Sequence, residues 1–450
     1  MESQPVNIVG AGMAGALLAV TLARRGFPVQ LFERRPDPRR AKAEHGRSIN
    51  LALAARGIQA LERAGIMERV RPLLIPMRGR MVHDKSGTTS LHPYGQRDEE
   101  VIYSVGRGAL NRLLMEEALG LAGVTVHFDQ SCLGADPSRN VLRFRDGNTN
   151  AEHETSLTPT IATDGAGSAI RSSLLFGGHL AVEEDFLDHD YKELTIPATE
   201  GRPALEPHAL HVWPRGGFML IALPNTDGSF TATLFLARKG DNSFASLNTP
   251  AAIRDFFLRE FPDATGLIPD LLQEFREHSQ GQLGTVRTNP FHVDGRVLLL
   301  GDAAHAIVPF HGQGMNAAFE DCAVFDSLLD RFADWEALFG EFSRERQPNT
   351  AAIAQMALEN YTEMRHTVLD AKFVRQKQLA LELERRFPRR FIPRYSMVMF
   401  HPEIPYSEAL RRGAVQAQIL EELDAVASAT GQPDLATAER LITERLSALV

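Results

Sequence analysis

Three glycines near the start of the chain are spaced as in a loop that binds phosphates. Gly10, Gly12 and Gly15 follow a short apolar segment, Val6–Val9, and open a segment of helical periodicity, Met13–Gly26. In such a loop the first glycine makes a tight turn, the second lets the backbone approach a pyrophosphate, and the third lets the helix pack closely. The N–H groups at the helix start then face the phosphates with the positive end of the helix dipole.

A carboxylate in register strengthens this interpretation. Glu33 ends the next predicted strand, Val29–Phe32, where it can bind ribose hydroxyls. The glycine spacing alone could be a chance turn. The strand, the helix and Glu33 together predict a bound dinucleotide, but they do not separate NAD from FAD.

Two distant segments favour FAD. Ile161–Ser168 contains Asp164 followed by a glycine, and Leu299–His305 contains Asp302 preceded by a glycine; each follows a predicted strand. They resemble the DG and GD motifs of the single-component flavoprotein aromatic hydroxylases, which share the para-hydroxybenzoate hydroxylase fold. The resemblance implies that Asp302 binds the FAD ribitol and that Asp164 lies near the pyrophosphate and NAD(P)H. One departure is Thr163, where the family has alanine. From the residues alone, either aspartate could be a turn former or a helix cap.

The loop Pro309–Asn316 precedes another predicted helix. Its N–H groups can stabilise the negative charge of reduced flavin, so we expect Gly314, Met315 and Asn316 to seat the isoalloxazine. His311 could act as a general base, but as a loop residue it is interpreted as part of the pocket wall.

Arg107 also precedes a predicted helix, and it matches a family position that contacts FAD. A surface arginine is the alternative. The sequence has no second glycine motif of the G-x-G-x-x-G kind. A nicotinamide donor would therefore have no Rossmann domain of its own and would bind transiently across the FAD domain.

Further segments resemble the kynurenine 3-monooxygenase family over nearly the whole chain. Two of them, around Asn360 and Tyr395, are unusual in the wider hydroxylase family and discriminate best. The segments are Gly46–Leu53, Arg80–His83 with Tyr94–Gly95, Pro309–Asn316, Leu358–Tyr361 and Phe391–Val398. The resemblance implies hydroxylation of L-kynurenine to 3-hydroxy-L-kynurenine with FAD, NADPH and O2, through an FAD C4a-hydroperoxide, in tryptophan catabolism.

The resemblance also implies substrate contacts. Arg80 would bind the kynurenine carboxylate bidentately, Tyr94 would donate to the same group, and Asn360 would complete the hydrogen bonding. Tyr395 would be a C-terminal contact or switch residue. Sequence alone would make Arg80 a surface strand arginine. The expected pocket walls are Leu210, Met219, Ile221, Leu223, Phe235, Phe310, His311 and Met364. No acid or base is assigned, because the substrate's own amine activates the ring carbon beside it.

The elements that must hold these residues follow two patterns. Apolar strands alternate with helices near the N-terminus, whereas residues 191–236 contain strand-like runs between Pro and Gly turns, which is typical of antiparallel sheet. We predict an α/β fold with a Rossmann-type FAD-binding domain, an interleaved antiparallel-sheet substrate domain and a helical C-terminal region. The predicted boundaries are 1–72, 98–180 and 290–330 for the first domain, 73–97 and 181–289 for the second, and 331–450 for the last.

Composition narrows the function classes. A formal net charge of -9 over 450 residues argues against a nucleic-acid partner. Two cysteines fit a reduced compartment, and no Cys/His spacing predicts a metal site. No apolar run approaches the ~18 residues of a membrane helix. The chain ends in a polar amphipathic segment near Ala436–Leu449, where eukaryotic family members have a membrane anchor. These features predict a soluble, cytoplasmic, bacterial-type form, with the oligomeric state left open and a homodimer included.

Other functions remain open at this point. The nearest alternative is an FAD-dependent hydroxylase of another aromatic acid. A flavin-bound regulatory protein without turnover belongs to a different class. A flavin halogenase is disfavoured because the Trp-x-Trp-x-Ile-Pro motif of that family is absent, the tryptophans being Trp213 and Trp335.

Overall fold

The computed structural model describes residues 4–37, 39, 50–367, 370–430 and 435–449, without the side chains of 366, 367, 371 and 426–430. Residues 46–49 of the Gly46–Leu53 segment lie outside the described residues. Contacts divide the chain into two compact units. The Rossmann unit comprises Met1–Ile75, Tyr103–Leu187 and Gln282–Ala354, and the antiparallel unit comprises Pro76–Ile102, Asp188–Gly281 and Gln355–Val450. The three-part division with the boundaries given above stays a prediction.

Among the described residues, strands are assigned as follows. They are β1 (Val6–Val9), β2 (Val29–Phe32), β3 (Asn50–Leu53), β4 (Ile75–Met77), β5 (Gly79–His83), β6 (Thr89–Pro93), β7 (Ile102–Gly106), β8 (Val124–His127), β9 (Gln130–Asp136), β10 (Val141–Asp146), β11 (Glu152–Ser156), β12 (Thr160–Ala162), β13 (Ala181–Ile196), β14 (Leu210–Pro214), β15 (Met219–Pro224), β16 (Phe230–Ala237), β17 (Gly281–Asn289), β18 (His292–Val293) and β19 (Val297–Leu299).

The α-helices of the same residues follow. They are α1 (Met13–Arg24), α2 (Ala55–Arg63), α3 (Met67–Val70), α4 (Arg107–Leu119), α5 (Ala169–Phe176), α6 (Pro250–Glu260), α7 (Pro262–Thr265), α8 (Leu271–Glu277), α9 (Asp302–His305), α10 (Gly314–Leu328), α11 (Trp335–Thr362), α12 (Ala371–Arg386), α13 (Arg394–Phe400), α14 (Tyr406–Thr430) and α15 (Leu435–Arg445). A π-helical turn, Glu363–Thr367, follows α11 directly.

The Rossmann unit is built on a sheet with the strand order β18–β19–β12–β1–β2–β8. The pairs β19–β12, β12–β1, β1–β2 and β2–β8 are parallel, and β18 pairs antiparallel with β19. The central strands are short and almost fully buried because both faces of the sheet are covered. Parallel pairing places the ends of β1, β12 and β19 along one edge, where the glycine loop and both aspartate motifs begin.

The antiparallel unit is built on a sheet in which β13, β16, β15, β14, β5 and β6 are successive neighbours. One face packs on α6, α7 and α8 through a cluster that includes Trp213, Leu220, Phe257 and Phe261. The sheet is not wholly antiparallel, because β5, which the chain forms much earlier, enters beside β14 in parallel. β13 and β17 each contain residues of both units.

The C-terminal third is helical, as predicted. Helices α12, α14 and α15 share a buried cluster that includes Leu383, Ile419, Leu423 and Leu441. Among the described helices, none combines the length and the apolar character that a membrane crossing requires.

One predicted helix is divided in the structure. The sequence predicts helical structure across Ala54–Val70, but α2 ends before Gly65 and α3 begins after it. Gly65 has a φ of 69°, a left-handed conformation that ends a helix and that favours glycine.

Candidate active site

The three glycines of the loop after β1 have different physical roles. Gly10 has a φ of 100°, and a Cβ there would lie 2.6 Å from the carbonyl oxygen of Thr163. A Cβ on Gly15 would overlap the Gly10 carbonyl oxygen. In contrast, a Cβ on Gly12 would meet nothing within 4 Å. Gly10 and Gly15 are therefore required by close packing, while Gly12 borders open space at the start of α1, where a pyrophosphate can approach.

Thr163 ties this loop to the motif that follows β12. Its hydroxyl donates to the carbonyl oxygens of Gly10 at 2.7 Å and Val9 at 3.1 Å. The alanine usual in the family could make neither bond. This departure therefore adds a direct link between the two motifs.

Asp164 helps Ser168, the N-cap residue, to satisfy the start of α5, which fits the alternative of a capping role. Its Oδ2 accepts from the backbone N–H of Ala169 at 2.9 Å and of Ile170 at 3.4 Å, at the start of α5. Its Oδ1 is buried and accepts no hydrogen bond from the described residues. Burial raises the pKa of Asp164. One oxygen thus remains for a ligand that donates.

Glu33 lies against the glycine loop. Its Oε2 accepts from the Ala11 N–H at 2.8 Å, and its Oε1 accepts from Arg35 Nε at 2.8 Å. Burial favours the protonated form, but the hydrogen bonds and charge of Arg35 outweigh it and lower the pKa of Glu33. The side chain is therefore an anion, as an acceptor for ribose hydroxyls must be.

Asp302 is exposed and begins α9, directly after Gly301, whose φ is 62°. A buried ionic network holds this turn. Asp321 accepts from the Gly301 N–H at 2.9 Å, contacts His305 Nε2 at 2.6 Å and accepts from Arg346 Nε at 2.6 Å. Burial opposes the charge of Asp321, but His305 and Arg346 lower its pKa, so it remains ionised.

The predicted isoalloxazine loop is held by a side-chain amide. Asn316 Nδ2 donates to the carbonyl oxygens of Ala52 and Gly312 at 2.8 Å, and its Oδ1 accepts from the Ala54 N–H at 2.8 Å. Because these bonds use the whole amide, Asn316 shapes the loop, and the backbone at the start of α10 is what can face a ligand. Gly314 and Met315 begin the same helix.

The remaining predicted residues of this unit differ in exposure. Arg107 is exposed at the first position of α4, so either a cofactor contact or a surface role fits it. Phe310 and His311 are buried in a single 3-10 turn, Pro309–His311. Their contribution to a substrate pocket stays a prediction.

Arg80 is the most unusual side chain of the antiparallel unit. Only 7% of it is exposed, so it is not the surface arginine that a strand position alone suggests. Its guanidinium carbon lies 5.2 Å from the ring centre of Tyr395 and 5.9 Å from that of Tyr94, and these rings stack 5.5 Å apart. Burial disfavours its charge, but Tyr395, Tyr94 and Glu363 together raise the pKa of Arg80.

Hydrogen bonding around Arg80 is incomplete. Its Nη1 contacts Glu363 Oε1 at 3.4 Å, a long ion pair. The buried Arg80 Nε donates no hydrogen bond to the described residues. Burial raises the pKa of Tyr395 to about 12 and raises the pKa of Tyr94 well above its ordinary value, so both hydroxyls keep their protons. A buried cation beside neutral donors is suited to an anionic ligand.

Strand register places the predicted walls on the Arg80 face of the sheet. Cross-strand partners face the same side, and alternate residues of a strand share a face. The relevant pairs are Arg80 with Leu210, Val212 with Ile221, and Met219 with Phe235, and Leu223 follows Ile221 by two residues. The opposite face carries Trp213 and Leu220 and is covered by helices.

The end of α11 contributes polar groups. Asn360 is buried, and its Nδ2 lies 3.5 Å from the sulfur of Met364, one turn further along. Glu363 belongs to the π-helical turn that begins there. Such turns are frequent at functional sites. The sequence offered no motif for Glu363; its signal is an acidic residue three positions after a predicted site residue.

Comparison with known proteins identifies the class. A family model described as "FAD binding domain" matches residues 3–357. The p-nitrophenol 4-monooxygenase of Pseudomonas putida DLL-E4 superposes with a TM-score of 0.67 at 17% identity, over 85% of this chain and 94% of the other. Together with the geometry, the family match defines an FAD-binding protein, and the superposition shows the predicted fold.

Curated relatives narrow the class further. The kynurenine 3-monooxygenase of Stenotrophomonas maltophilia (strain K279a) is 49% identical over 434 residues, which are 96% of this chain and 94% of the relative. That of Myxococcus xanthus (strain DK1622) is 46% identical over 443 residues, with 98% and 95% covered. The chain belongs to the kynurenine 3-monooxygenase family.

Proposed function

We propose that this protein hydroxylates L-kynurenine to 3-hydroxy-L-kynurenine, with NADPH and O2 as co-substrates. The observation that carries the proposal is the buried Arg80, whose Nε has no hydrogen bond among the described residues and which lies beside the stacked rings of Tyr94 and Tyr395. Membership of the family supports the choice of substrate.

The Rossmann unit supplies the residues that would hold FAD. The open space at Gly12 and the start of α1 suit the pyrophosphate, and the ionised Glu33 suits the adenosine ribose. The orphaned Asp164 Oδ1 and the exposed Asp302 remain for polar cofactor groups. When bound, FAD takes reducing equivalents from the nicotinamide and activates O2.

Arg80 would bind the substrate carboxylate, and Tyr94 would donate to it. A bidentate carboxylate would satisfy Arg80 Nε, which has no hydrogen-bond partner among the residues that the structure describes. Glu363 would bind the α-ammonium group, because its carboxylate lies 3.4 Å from the same guanidinium. An anion and a cation side by side match a zwitterion. This pairing favours an amino-acid substrate over a simple aromatic acid.

The apolar face of the sheet would position the aromatic ring. Met219, Leu223 and Phe235 are buried there and would exclude water from the reacting carbon. The aniline nitrogen of kynurenine enriches the ortho ring carbon in electrons. The protein would therefore need to orient that carbon and not to supply a strong base.

Replacement of Arg80 tests the proposal. We expect Arg80→Ala to weaken L-kynurenine binding by roughly 100-fold or more, because a charge-assisted pair in a buried site is lost. Flavin absorbance should stay unchanged, since Arg80 lies in the other unit. Arg80→Lys should recover little, because an ammonium cannot make the bidentate contact.

Substrate titration and NADPH oxidation measure both effects. Equal affinity in Arg80→Ala would contradict the carboxylate role. NADPH oxidation that another aromatic acid stimulates, but L-kynurenine does not, would favour the alternative hydroxylase.

A further inference from the structure

A chain of hydrogen bonds lies on the reverse face of the sheet, behind Arg80. Asp263 Oδ2 contacts His83 Nδ1 at 3.0 Å, His83 Nε2 contacts His211 Nδ1 at 2.8 Å, and His211 Nε2 contacts the carbonyl oxygen of Glu206 at 2.9 Å. Both imidazoles are buried, with 5% and 2% of their surfaces exposed. No step of the proposed function uses this series of hydrogen bonds.

The donors in this chain can be counted. A carbonyl oxygen only accepts, so His211 Nε2 carries a hydrogen. Burial opposes the charge of Asp263, but hydrogen bonds from His83 and Trp213 lower its pKa, so it is an accepting carboxylate and His83 Nδ1 also carries a hydrogen. His83 Nε2 and His211 Nδ1 face each other at hydrogen-bonding distance, so one of these two nitrogens must carry a third hydrogen. Two neutral imidazoles have only two N–H groups between them.

We infer that the His83–His211 pair holds one proton more than two neutral imidazoles, with the positive charge on His83, and that this buried cation positions β5 and thereby Arg80. Burial lowers the pKa of His211 to about 4, which leaves His211 neutral. His83 then donates from both nitrogens, to Asp263 and to His211. The part that concerns Arg80 rests on the proposed function.

The surroundings favour a cation at His83. Trp213 stacks on its ring at 4.0 Å and donates from Nε1 to Asp263 Oδ2 at 2.7 Å. Asp263 Oδ1 is buried and has no hydrogen bond among the described residues, so the negative charge of Asp263 is compensated mainly through His83.

Other charged groups flank this series of hydrogen bonds. Arg215, from the segment after β14, donates to the His83 carbonyl oxygen at 3.0 Å. Glu260, at the end of α6, pairs with Lys85 at 2.8 Å, and Asp84 follows His83 directly. Glu206 reaches the chain through its carbonyl oxygen.

The position of these hydrogen bonds behind β5 explains their effect on Arg80. Met81 and His83 face the helices, whereas Arg80 and Val82 face the predicted substrate side. The bonds of His83 tie the end of β5 to α7 and to β14. A shift of this strand would move the guanidinium of Arg80.

Imidazole nitrogen NMR of the wild-type protein counts the protons directly. With 15N-labelled histidine, we expect the pair at pH 7 to show three protonated nitrogens and one unprotonated nitrogen, His211 Nδ1. His83→Gln and His211→Asn assign the signals. Two protonated nitrogens would overturn the inference without touching the role of Arg80.

Asp263→Asn tests the positioning role. Asparagine keeps an acceptor but removes the charge, so the pair should fall to two protons and L-kynurenine KM should rise roughly tenfold with kcat unchanged. His208→Gln, an exposed histidine that contacts the Pro76 carbonyl oxygen, is the matched control and should resemble wild type. Three protons in Asp263→Asn, or an unchanged KM with two protons, would overturn the inference. A failed Arg80→Ala test combined with three wild-type protons would overturn only the proposed function.

Discussion

At the residue scale, Glu363 distinguishes two kinds of substrate. We expect Glu363→Gln to weaken L-kynurenine binding roughly tenfold, because the ammonium group loses a charge-assisted hydrogen bond of about 1.5–3 kcal/mol to a partly exposed carboxylate. An analogue without the α-amino group should bind the variant at least as well as wild type. Dissociation constants for both ligands, measured by titration, check this.

The matched control for Glu363 is Glu382→Gln, an acid on α12 that pairs with Arg386. It should leave both affinities unchanged. An equal loss for both ligands in Glu363→Gln would mean that Glu363 only compensates the charge of Arg80.

Single residues were predictable where a motif names them. Gly10, Gly15 and Arg80 stand in recognisable segments, and the structure gives each a geometric reason. Thr163 and Glu363 were not, because their roles depend on contacts with distant chain segments. Asn316 was expected at the cofactor, but its amide is used by Ala52, Ala54 and Gly312, which no local pattern reveals.

At the element scale, substitutions of two glycines in one loop should have different effects. We expect Gly15→Ala to destabilise the protein by ~1–3 kcal/mol even without FAD, because the new methyl group overlaps the Gly10 carbonyl and pushes α1 away. Gly12→Ala should change apoprotein stability by less than ~0.5 kcal/mol, because its methyl group meets open space, yet it should weaken FAD binding.

Urea unfolding of both apoproteins and FAD titration separate these effects. Equal apoprotein stability of Gly15→Ala and wild type would contradict the packing role. Unchanged FAD affinity in Gly12→Ala would show that the pyrophosphate does not bind next to Gly12.

Elements were predictable where hydrophobic periodicity is strong. β1 and β2 match their predicted bounds. β14, β15 and β16 lie within a residue, at each end, of the strand-like runs that the sequence predicts at Ala209–Trp213, Phe218–Leu223 and Thr231–Leu236. The parallel entry of β5 beside β14 was not predictable, because partner choice between distant strands leaves no local pattern. β13 is longer than the strand that the sequence predicts at Leu194–Ile196. The first half of β13 is polar and exposed, so it shows no hydrophobic pattern.

At the scale of the whole molecule, partly or fully buried histidines make the fold sensitive to acid. Burial lowers the pKa of His92, His127, His189, His211 and His292. An unfolded chain protonates these groups near pH 6.5, whereas the folded chain does so only at lower pH. The contribution of these five groups to stability is therefore fully present above pH 6.5 and is lost as pH falls from there toward their lower folded pKa values.

His211 should contribute most clearly to this loss. With a folded pKa of about 4, it should remove on the order of 2 kcal/mol of stability between pH 7 and pH 5. Urea unfolding at both pH values measures the difference, and His211→Asn should reduce it. An equal loss of stability between pH 7 and pH 5 in His211→Asn and in wild type would show that other groups cause the acid sensitivity.

The order of strands in the Rossmann sheet has a consequence for synthesis. β1 pairs with β12, and β12 pairs with β19, so the centre of this sheet uses residues from Val6 to Leu299. At ~5–20 residues per second, β1 leaves the ribosome roughly 15–60 s before its sheet can be completed. During that interval β1 can pair with β2, but its other edge has no native partner until β12 is made. The FAD site can therefore be completed only after about two thirds of the 450 residues have been made, and truncations before β19 should yield aggregation-prone protein that retains no flavin.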